Sequence, residues 1–238
     1  MQEVENKYNL HLIGGTAEDK SSDPKYLCIE MLPIQARVLS LGLSWITQVG
    51  FEAALLNAGH KVVGCDPSVP SFFASWKLGQ MFPNYSFMAK AVTGEDGMIK
   101  IRYEKNESFE MAAHTTHDDF KQFDKETYRE VESVSLATLV KLYGGFDVLK
   151  MNIEGFEYDI IKSVQSLDIA QVIVSFHHRY CDEYTLEDTM ECVEKLEDMG
   201  YETIDLHTVD PEWITKPNEE YLFIKPSSSK KLTLQTII

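Results

Sequence analysis

The chain has 238 residues with 22 basic and 38 acidic side chains, which gives a formal net charge of −16. This length suits one α/β domain with a substantial core. Nucleic-acid binding depends on basic side chains that neutralise phosphates, and the excess of acidic residues opposes this. The negative electrostatic field of these residues also disfavours binding to anionic membrane surfaces. We therefore expect neither a nucleic acid nor a membrane as a partner.

The amino-terminal sequence MQEVENKYNL lacks the basic and apolar regions of a signal peptide. No stretch of the chain reaches the roughly 18 apolar residues of a membrane-spanning helix, so a cytoplasmic protein is expected. The cysteines lack C-x-x-C spacing, so we expect no metal site and no disulfide framework. Residues 1–36 are expected to form a lead-in segment, 37–226 the single domain and 227–238 a loosely held tail.

Residues 37–68 predict a β-α-β unit. A strand of residues 38–41 reaches a turn at Gly42, a helix begins near residue 50, and a second strand ends at Asp66. The acid follows the glycine at close to the spacing of about 20 residues that is typical of a carboxylate holding a ribose. The unit therefore predicts a ligand that contains a nucleoside.

The turn after the first strand contains one glycine, which bulky residues follow. A dinucleotide site would favour G-x-G-x-x-G, because its glycines let the backbone approach a pyrophosphate. S-adenosylmethionine carries a ribose and an adenine but no phosphate, so a glycine-poor turn favours this methyl donor. The candidate donor-binding residues of the two turns are Leu41, Gly42, Leu43, Asp66, Pro67 and Ser68.

The next segments predict further elements of an α/β fold. Residues 70–81 form a predicted helix whose aromatic side chains are expected in the core, and 85–92 form a predicted third strand. Residues 93–103 predict a turn and an extra strand. The polar stretch 104–132 contains HTTHDD, which invites a metal hypothesis, but no further ligand is identifiable. We favour a solvated loop or a lid over the substrate, since long loops in small domains are often functional.

Polar side chains gather where the strand of residues 148–153 ends. A short apolar run breaks into Glu154 and Gly155, and a helical pattern follows. In open α/β sheets ligands bind outside the carboxyl ends of the strands, so Asn152 and Glu154 are candidate site residues. The alternative is an ordinary turn whose acids stabilise the helix dipole.

A second buried strand, residues 170–176, leads into His177 and His178. Histidines beside Asn152 and Glu154 are candidate acid, base or substrate-binding groups. The alternative places one histidine in the core and the other on the surface. An amphipathic helix over 185–199 and two strands near 201–206 and 221–224 complete the predicted domain.

Three motifs together resemble the FkbM-type, methyltransferase-like class I methyltransferases: LSLGLSWITQVGFEAAL, VVGCDPS and KMNIEGFEYDII. The short segments LHLIGG and KYLCIE fit the same group. The resemblance implies a Rossmann-like α/β fold: a seven-stranded, mostly parallel sheet with helices on both faces and an antiparallel last strand. It implies S-adenosylmethionine as cofactor and, often, O-methylation. It also implies that Lys90 and Ala91 flank the adenine, and that Asn152, Glu154 and His177 line the acceptor pocket.

The chain departs from that family where Asn152 stands in place of the usual aspartate. An asparagine amide can orient a hydroxyl or the donor, but it cannot act as a general base. We therefore expect a methyltransferase acting on a small-molecule or glycan-like acceptor, with two alternatives. One is a protein of this fold that binds without turnover. The other is an NAD-dependent oxidoreductase, which rests on the β-α-β unit and Asp66 alone.

Overall fold

Strands and helices alternate along most of the chain. The structure, a computed structural model, describes residues 7–15, 22–43, 46–105, 110–114, 128–179, 183–210 and 219–226. Its strands are β1 (His11–Ile13), β2 (Lys25–Leu27), β3 (Arg37–Leu41), β4 (Lys61–Cys65), β5 (Tyr85–Met88), β6 (Ala91–Thr93), β7 (Gly97–Lys105), β8 (Glu110–His114), β9 (Tyr128–Ser135), β10 (Val148–Met151), β11 (Gln171–Phe176), β12 (Glu202–Asp205) and β13 (Glu219–Ile224). Its helices are α1 (Gly50–Asn57), α2 (Val69–Met81), α3 (Leu136–Tyr143), α4 (Phe156–Ser163), α5 (Leu186–Asp198) and α6 (Leu206–Val209).

The central sheet has seven strands in the order β12-β13-β11-β10-β3-β4-β5. The pairs from β11 through β10, β3 and β4 to β5 are parallel, whereas β13 runs antiparallel to both β11 and β12. This confirms the predicted Rossmann-like α/β fold. The chain builds outward from β3 in one direction and from β10 in the other, so the order reverses between these two neighbours. In open α/β sheets that reversal is where ligands bind.

Burial on both faces explains why the central strands are nearly continuous apolar runs. All four residues of β10 and all six of β11 are buried. One hydrophobic cluster, which includes Leu39, Leu149 and Tyr158, packs on one face, and another, which includes Phe51 and Ile173, packs on the other. The sheet is therefore a rigid central layer whose carboxyl edge can hold polar groups in fixed positions.

The predicted third strand over residues 85–92 is confirmed over 85–88 as β5 but is wrong beyond that, because the chain leaves the central sheet after β5. The Lys90 amide donates to the Met88 carbonyl at 2.9 Å, which turns the chain, and β6 joins a second sheet of order β6-β9-β7-β8. The predicted extra strand after residue 93 is β7. The polar stretch 104–132 contributes β8 and part of β9 to that sheet, and most of the HTTHDD segment (residues 115–119) lies outside the described residues.

The expectation that the aromatic residues of α2 lie in the core is wrong for all three of them. Phe72, Phe73 and Trp76 are 55%, 60% and 64% exposed. The small residues Ala74 and Ser75, together with Leu78, face inward instead, because the helix lies close to the sheet. An apolar face of this size on a helix surface marks a candidate ligand or partner surface.

The last part of the domain follows the predicted pattern with one addition. Helix α5 begins at a capping box. The Thr185 hydroxyl accepts from the Asp188 backbone amide, and the Asp188 carboxylate accepts from the Thr185 backbone amide. Strand β12 is followed by α6, which the sequence analysis did not predict; Asp205 caps it by accepting from the His207 amide at 2.9 Å. Residues 211–218 and 227–238 lie outside the described residues. Among the helices that the structure describes, none has the length and apolarity to cross a bilayer.

Candidate functional site

The ends of β3 and β10 meet at Gly42 and Asn152, where the strand order reverses. Gly42 has φ of 76°, and a Cβ on it would lie 1.7 Å from the carbonyl oxygen of Asn152, so no other residue fits there. The backbone amide of Asn152 donates to the Leu41 carbonyl at 3.1 Å, and the backbone amide of Gly42 donates to the Cys65 carbonyl at 3.1 Å. The predicted donor turn and the predicted acceptor residue are therefore in direct backbone contact.

Asp66 ties together the turns after β3 and β4. Its Oδ2 accepts from the Leu43 amide at 2.7 Å, and its Oδ1 accepts from the Ser68 amide at 2.7 Å. Burial raises the pKa of Asp66, against the hydrogen bonds from Ser68, Ser71 and Leu43 that lower it. Sequence reasoning proposed this carboxylate as a ribose ligand. The structure adds that it fixes the shape of both candidate donor turns. In the second of these turns, the Pro67 carbonyl accepts from the Arg129 guanidinium.

A buried ion pair supports the Gly42 turn from below. The Lys150 ammonium donates to the Gly42 carbonyl, and its Nζ lies 3.6 Å from Oε1 of Glu52 in α1. The Ser40 hydroxyl donates to the same Glu52 oxygen at 2.5 Å. Sequence reasoning missed Glu52 and Ser40. A polar or charged residue at a core position of its strand or helix was the signal that could have found them.

The turn after β10 brings two carboxylates to His177. Glu154 has φ of 55°, an unusual value for a non-glycine residue, and Gly155 next to it is left-handed as well. The Glu157 side chain accepts from the Gly155 amide at 2.9 Å and from His177 Nδ1 at 2.8 Å. On the other side of the ring, His177 Nε2 lies 3.7 Å from Glu154 Oε2.

These carboxylates decide the charge of His177, which is fully buried at 1% exposure. Burial opposes protonation, but Glu154 and Glu157 outweigh it and raise the pKa of His177 to about 9. The imidazole is therefore a cation at neutral pH and cannot accept a proton there. Glu154, with a side chain that is 35% exposed, is the member of this group that reaches the surface. His178 binds Thr189 of α5 at 2.9 Å instead.

A second group of charges reaches the same edge from the lead-in segment and from β13. The Lys25 ammonium, which is 1% exposed, lies 2.6 Å from Asp23 and 2.7 Å from Glu220. The Ser175 hydroxyl donates to Glu220 at 2.7 Å, and the Asn152 amide nitrogen donates to Asp23 Oδ2 at 3.3 Å. Sequence reasoning missed Asp23, Lys25 and Glu220, because nothing local marks them.

The two groups together form a charged rim, which we call the carboxyl-edge cluster. Among the described residues it holds four carboxylates, those of Asp23, Glu154, Glu157 and Glu220, against two cations, Lys25 and protonated His177. An excess of negative charge beside low-dielectric walls favours a cationic ligand. In the described ranges no three His, Cys, Asp or Glu side chains are arranged to hold a metal ion.

Lys90 and Ala91, the predicted adenine contacts, lie beyond β5 at the other side of the sheet. Ala91 is buried in β6 at 3% exposure, and the Lys90 ammonium pairs with Glu132 at 2.5 Å. Lys90 and Met88 line an open cleft of about 470 Å³. The structure thus brings Gly42, Asn152, Glu154 and His177 to one edge, while Lys90 and Ala91 follow β5, which lies three strands from β10 in the central sheet.

Comparison with known proteins gives one family and several distant structural neighbours. The methyltransferase FkbM domain matches residues 42–203. No curated protein matches the chain significantly. The match to a methyltransferase domain favours the methyl donor over the nicotinamide alternative.

The solved structures resemble the chain only distantly. The Methanococcus jannaschii fibrillarin pre-rRNA processing protein is 14% identical with a TM-score of 0.47, over 82% of this chain and 68% of that one. A fibrillarin/Nop5p complex is 12% identical with a TM-score of 0.44, over 81% and 72%. Precorrin-6y C5,15-methyltransferase from Geobacter metallireducens is 13% identical with a TM-score of 0.39, over 74% and 71%.

Proposed function

The chain belongs to the FkbM family of S-adenosylmethionine-dependent methyltransferases, and we propose that it methylates a hydroxyl group of a small-molecule or glycan-like acceptor. The observation that carries this proposal is the arrangement of Glu154 and His177 at the carboxyl edge of the sheet, close to the turn where Gly42 meets Asn152.

The residues at the strand reversal fit the donor. The Oδ1 atom of Asn152 is buried and lacks a hydrogen-bond partner among the described residues, so it offers an acceptor to a ligand N–H or O–H group. The excess of carboxylates in the carboxyl-edge cluster favours the positive charge of a sulfonium and an ammonium. Gly42 and Asn152 would hold the amino-acid part of the donor, and Asp66 the ribose.

S-adenosylmethionine supplies an activated methyl group, whose transfer is an in-line displacement. Positioning accounts for most of the acceleration in such a reaction, and well-oriented groups gain about 7–11 kcal/mol. The backbone contact between Gly42 and Asn152, the Asp66 clamp on both turns and the Lys150–Glu52 pair beneath them keep this edge rigid. The protein is therefore preorganised for positioning.

The proton of the acceptor hydroxyl goes to Glu154 in our proposal. Asn152 cannot take a proton, and His177 already carries one at neutral pH because its pKa is raised to about 9. Glu154 is partly exposed and lies 3.7 Å from the His177 ring. Glu154 is thus the side chain of this group placed to accept a hydrogen bond from the acceptor hydroxyl and then its proton.

The exposed face of α2 supports a ring-bearing acceptor. Helix α2 starts directly after Ser68, and the Phe72 backbone amide donates to the Ser68 carbonyl at 3.4 Å. The amino-terminal part of this helix therefore lies at the candidate donor-binding loop of residues 66–68. Phe72, Phe73 and Trp76 expose flat apolar surfaces there. Aromatic faces of this kind pack on sugar rings and on other small cyclic molecules, which have one apolar face and polar edges.

The test is methyl transfer from isotopically labelled S-adenosylmethionine to a panel of sugars, glycans and small hydroxylated molecules. We expect a methyl ether as product, and we expect Glu154→Gln to lose at least about a hundredfold in rate, the contribution typical of a general base. Glu187→Gln makes the same change on the exposed side of α5 and should leave the rate unchanged. A product methylated on nitrogen, or an unaffected Glu154→Gln, would contradict the proposal.

A further inference from the structure

We propose that Asp23 is a positioning residue that orients the Asn152 amide, so that Asn152 Oδ1 receives the ammonium group of the donor. This inference rests on the proposed function, because it concerns how the donor is held. It goes beyond that function by assigning a role in the site to the lead-in segment, which lies outside the matched domain of residues 42–203.

The orientation of Asn152 follows from the chemistry of its neighbour. An ionised carboxylate can only accept hydrogen bonds, so the side of the amide that faces Asp23 must be the NH₂ group. The structure shows this contact, Nδ2 to Asp23 Oδ2 at 3.3 Å. The carbonyl oxygen Oδ1 then has to face away from Asp23, and it is buried without a partner among the described residues. Buried acceptors are rarely left unpaired in folded proteins, so this atom indicates a ligand.

Asp23 is itself held firmly. Its φ of 53° is unusual for a non-glycine residue. Its carboxylate is 2.6 Å from the buried Lys25 ammonium, which Glu220 pairs on the other side at 2.7 Å. The preceding residue, Ser22, accepts from the Gly50 amide at 3.1 Å, which joins the lead-in to the start of α1. Because Lys25 holds the Asp23 carboxylate and the Ser22–Gly50 hydrogen bond holds the adjoining backbone, Asp23 can impose one orientation on the side-chain amide that it contacts.

The group that suits Oδ1 is a cationic donor of hydrogen bonds. Asn152 lies at the strand reversal against Gly42, and the surrounding carboxyl-edge cluster carries more carboxylates than cations. Hydrogen bonds to charged groups are about twice as strong as neutral ones. The ammonium of the donor's amino-acid part meets these conditions. An acceptor hydroxyl is the competing source of a donor group, and the test separates the two.

The test compares two ligands that differ in the amino-acid part alone. S-adenosylhomocysteine carries the ammonium group, whereas 5′-methylthioadenosine has the same adenine, ribose and thioether without it. Titration calorimetry on the full chain gives both dissociation constants. We expect Asn152→Ala and Asp23→Asn each to weaken S-adenosylhomocysteine about tenfold or more, with 5′-methylthioadenosine affected less than about twofold.

A double-mutant cycle separates positioning from an independent contact. If Asp23 acts through Asn152, the variant D23N/N152A should bind S-adenosylhomocysteine no more weakly than N152A alone. Asp168→Asn is the matched control, since Asp168 is exposed before β11 at the opposite end of the sheet. If D23N alone does not fold because Lys25 has lost a charge partner, D23N/K25M/E220Q removes all three charges of this group and takes its place.

Each outcome decides the proposal. Equal losses for both ligands would show a general disturbance of the site and would overturn it. A full additive loss of affinity in the double variant would also overturn it. Unchanged affinities in D23N or N152A would overturn it too, and would leave the acceptor hydroxyl as the partner of Oδ1. Failure of the folded wild-type chain to bind either ligand would instead overturn the proposed function itself.

Discussion

Glu157 binds His177 twice through one oxygen. Its Oε1 accepts from the His177 backbone amide at 3.0 Å and from the ring Nδ1 at 2.8 Å, and both residues are fully buried. The start of α4 and the end of β11 are thereby joined, and the ring is fixed with Nε2 towards Glu154. Sequence reasoning offered His177 as an acid or base. In the structure it is instead a buried cation that lies beside Glu154.

The charge of His177 predicts how stability depends on pH. Because the pKa is raised from 6.5 in the unfolded chain to about 9 in the fold, the folded state binds more protons between these values. The stabilisation is fully present below pH 6.5 and is lost as the pH rises through 9. It amounts to about 3 kcal/mol at most.

Urea unfolding of the wild type and of His177→Asn at pH 6 and pH 9.5 measures this difference. Asparagine keeps a donor for Glu157 but does not titrate in this range. We expect the gap in unfolding free energy between the two proteins to shrink at the higher pH. A gap that is constant or that widens would show that His177 is neutral in the fold.

Gly42→Ala should destabilise the fold and abolish donor binding. A Cβ would lie 1.7 Å from the Asn152 carbonyl oxygen, so the ends of β3 and β10 would have to separate. Gly59→Ala is a matched control, since Gly59 also has a positive φ of 89° but its added Cβ meets nothing within 4 Å. That control should cost about 1–2 kcal/mol from backbone strain alone. Similar unfolding free energies for the two variants would contradict the close approach.

Asp66→Ala should reduce both donor affinity and stability. A carboxylate that only held the ribose would lose binding with folding nearly intact, but the structure shows that Asp66 also holds the Leu43 and Ser68 amides. Hydrogen bonds to a charged group contribute about 1.5–3 kcal/mol each, so we expect the unfolding free energy to fall by at least about that much for one bond. Calorimetric titration beside denaturant unfolding separates the two effects. Weaker binding without any loss of stability would restore the simpler ribose-ligand role.

The Lys150–Glu52 pair should behave as a coupled unit. Lys150→Met leaves Glu52 as a buried charge with the Ser40 hydroxyl as partner, and breaking a buried pair in this way costs about 3–5 kcal/mol. Adding Glu52→Gln should recover much of that loss, because the uncompensated charge is gone. Unfolding free energies of the two single variants and the double variant give the coupling energy. Simple additivity would show that the two side chains do not depend on each other.

The fold could be predicted because the central strands are buried on both faces. Continuous apolar runs such as those of β10 and β11 leave few alternatives, and each ends in a turn or polar residue that marks the carboxyl edge. The meeting of Asn152, Glu154 and His177 followed from the same rule, since parallel neighbours end together. Where residues 85–92 leave the central sheet could not be predicted, because both β5 and β6 are apolar and nothing local separates them.

The rest of the site could not be predicted because its residues come from distant parts of the chain. Asp23 and Lys25 belong to the lead-in, and Glu220 to the last strand of the sheet. Each is an ordinary charged residue in its local sequence, and tertiary packing alone brings them to Asn152 and Ser175. The exposure of the α2 aromatics had the same origin, since it depends on how closely that helix approaches the sheet.

The most direct test of the account is calorimetric titration of the folded wild-type chain with S-adenosylhomocysteine, beside the Asn152→Ala variant. The account predicts saturable one-site binding to the wild type, weakened about tenfold or more in the variant. An absence of binding to the folded wild type, or equal affinity for both proteins, would contradict the placement of the donor at the strand reversal between Gly42 and Asn152.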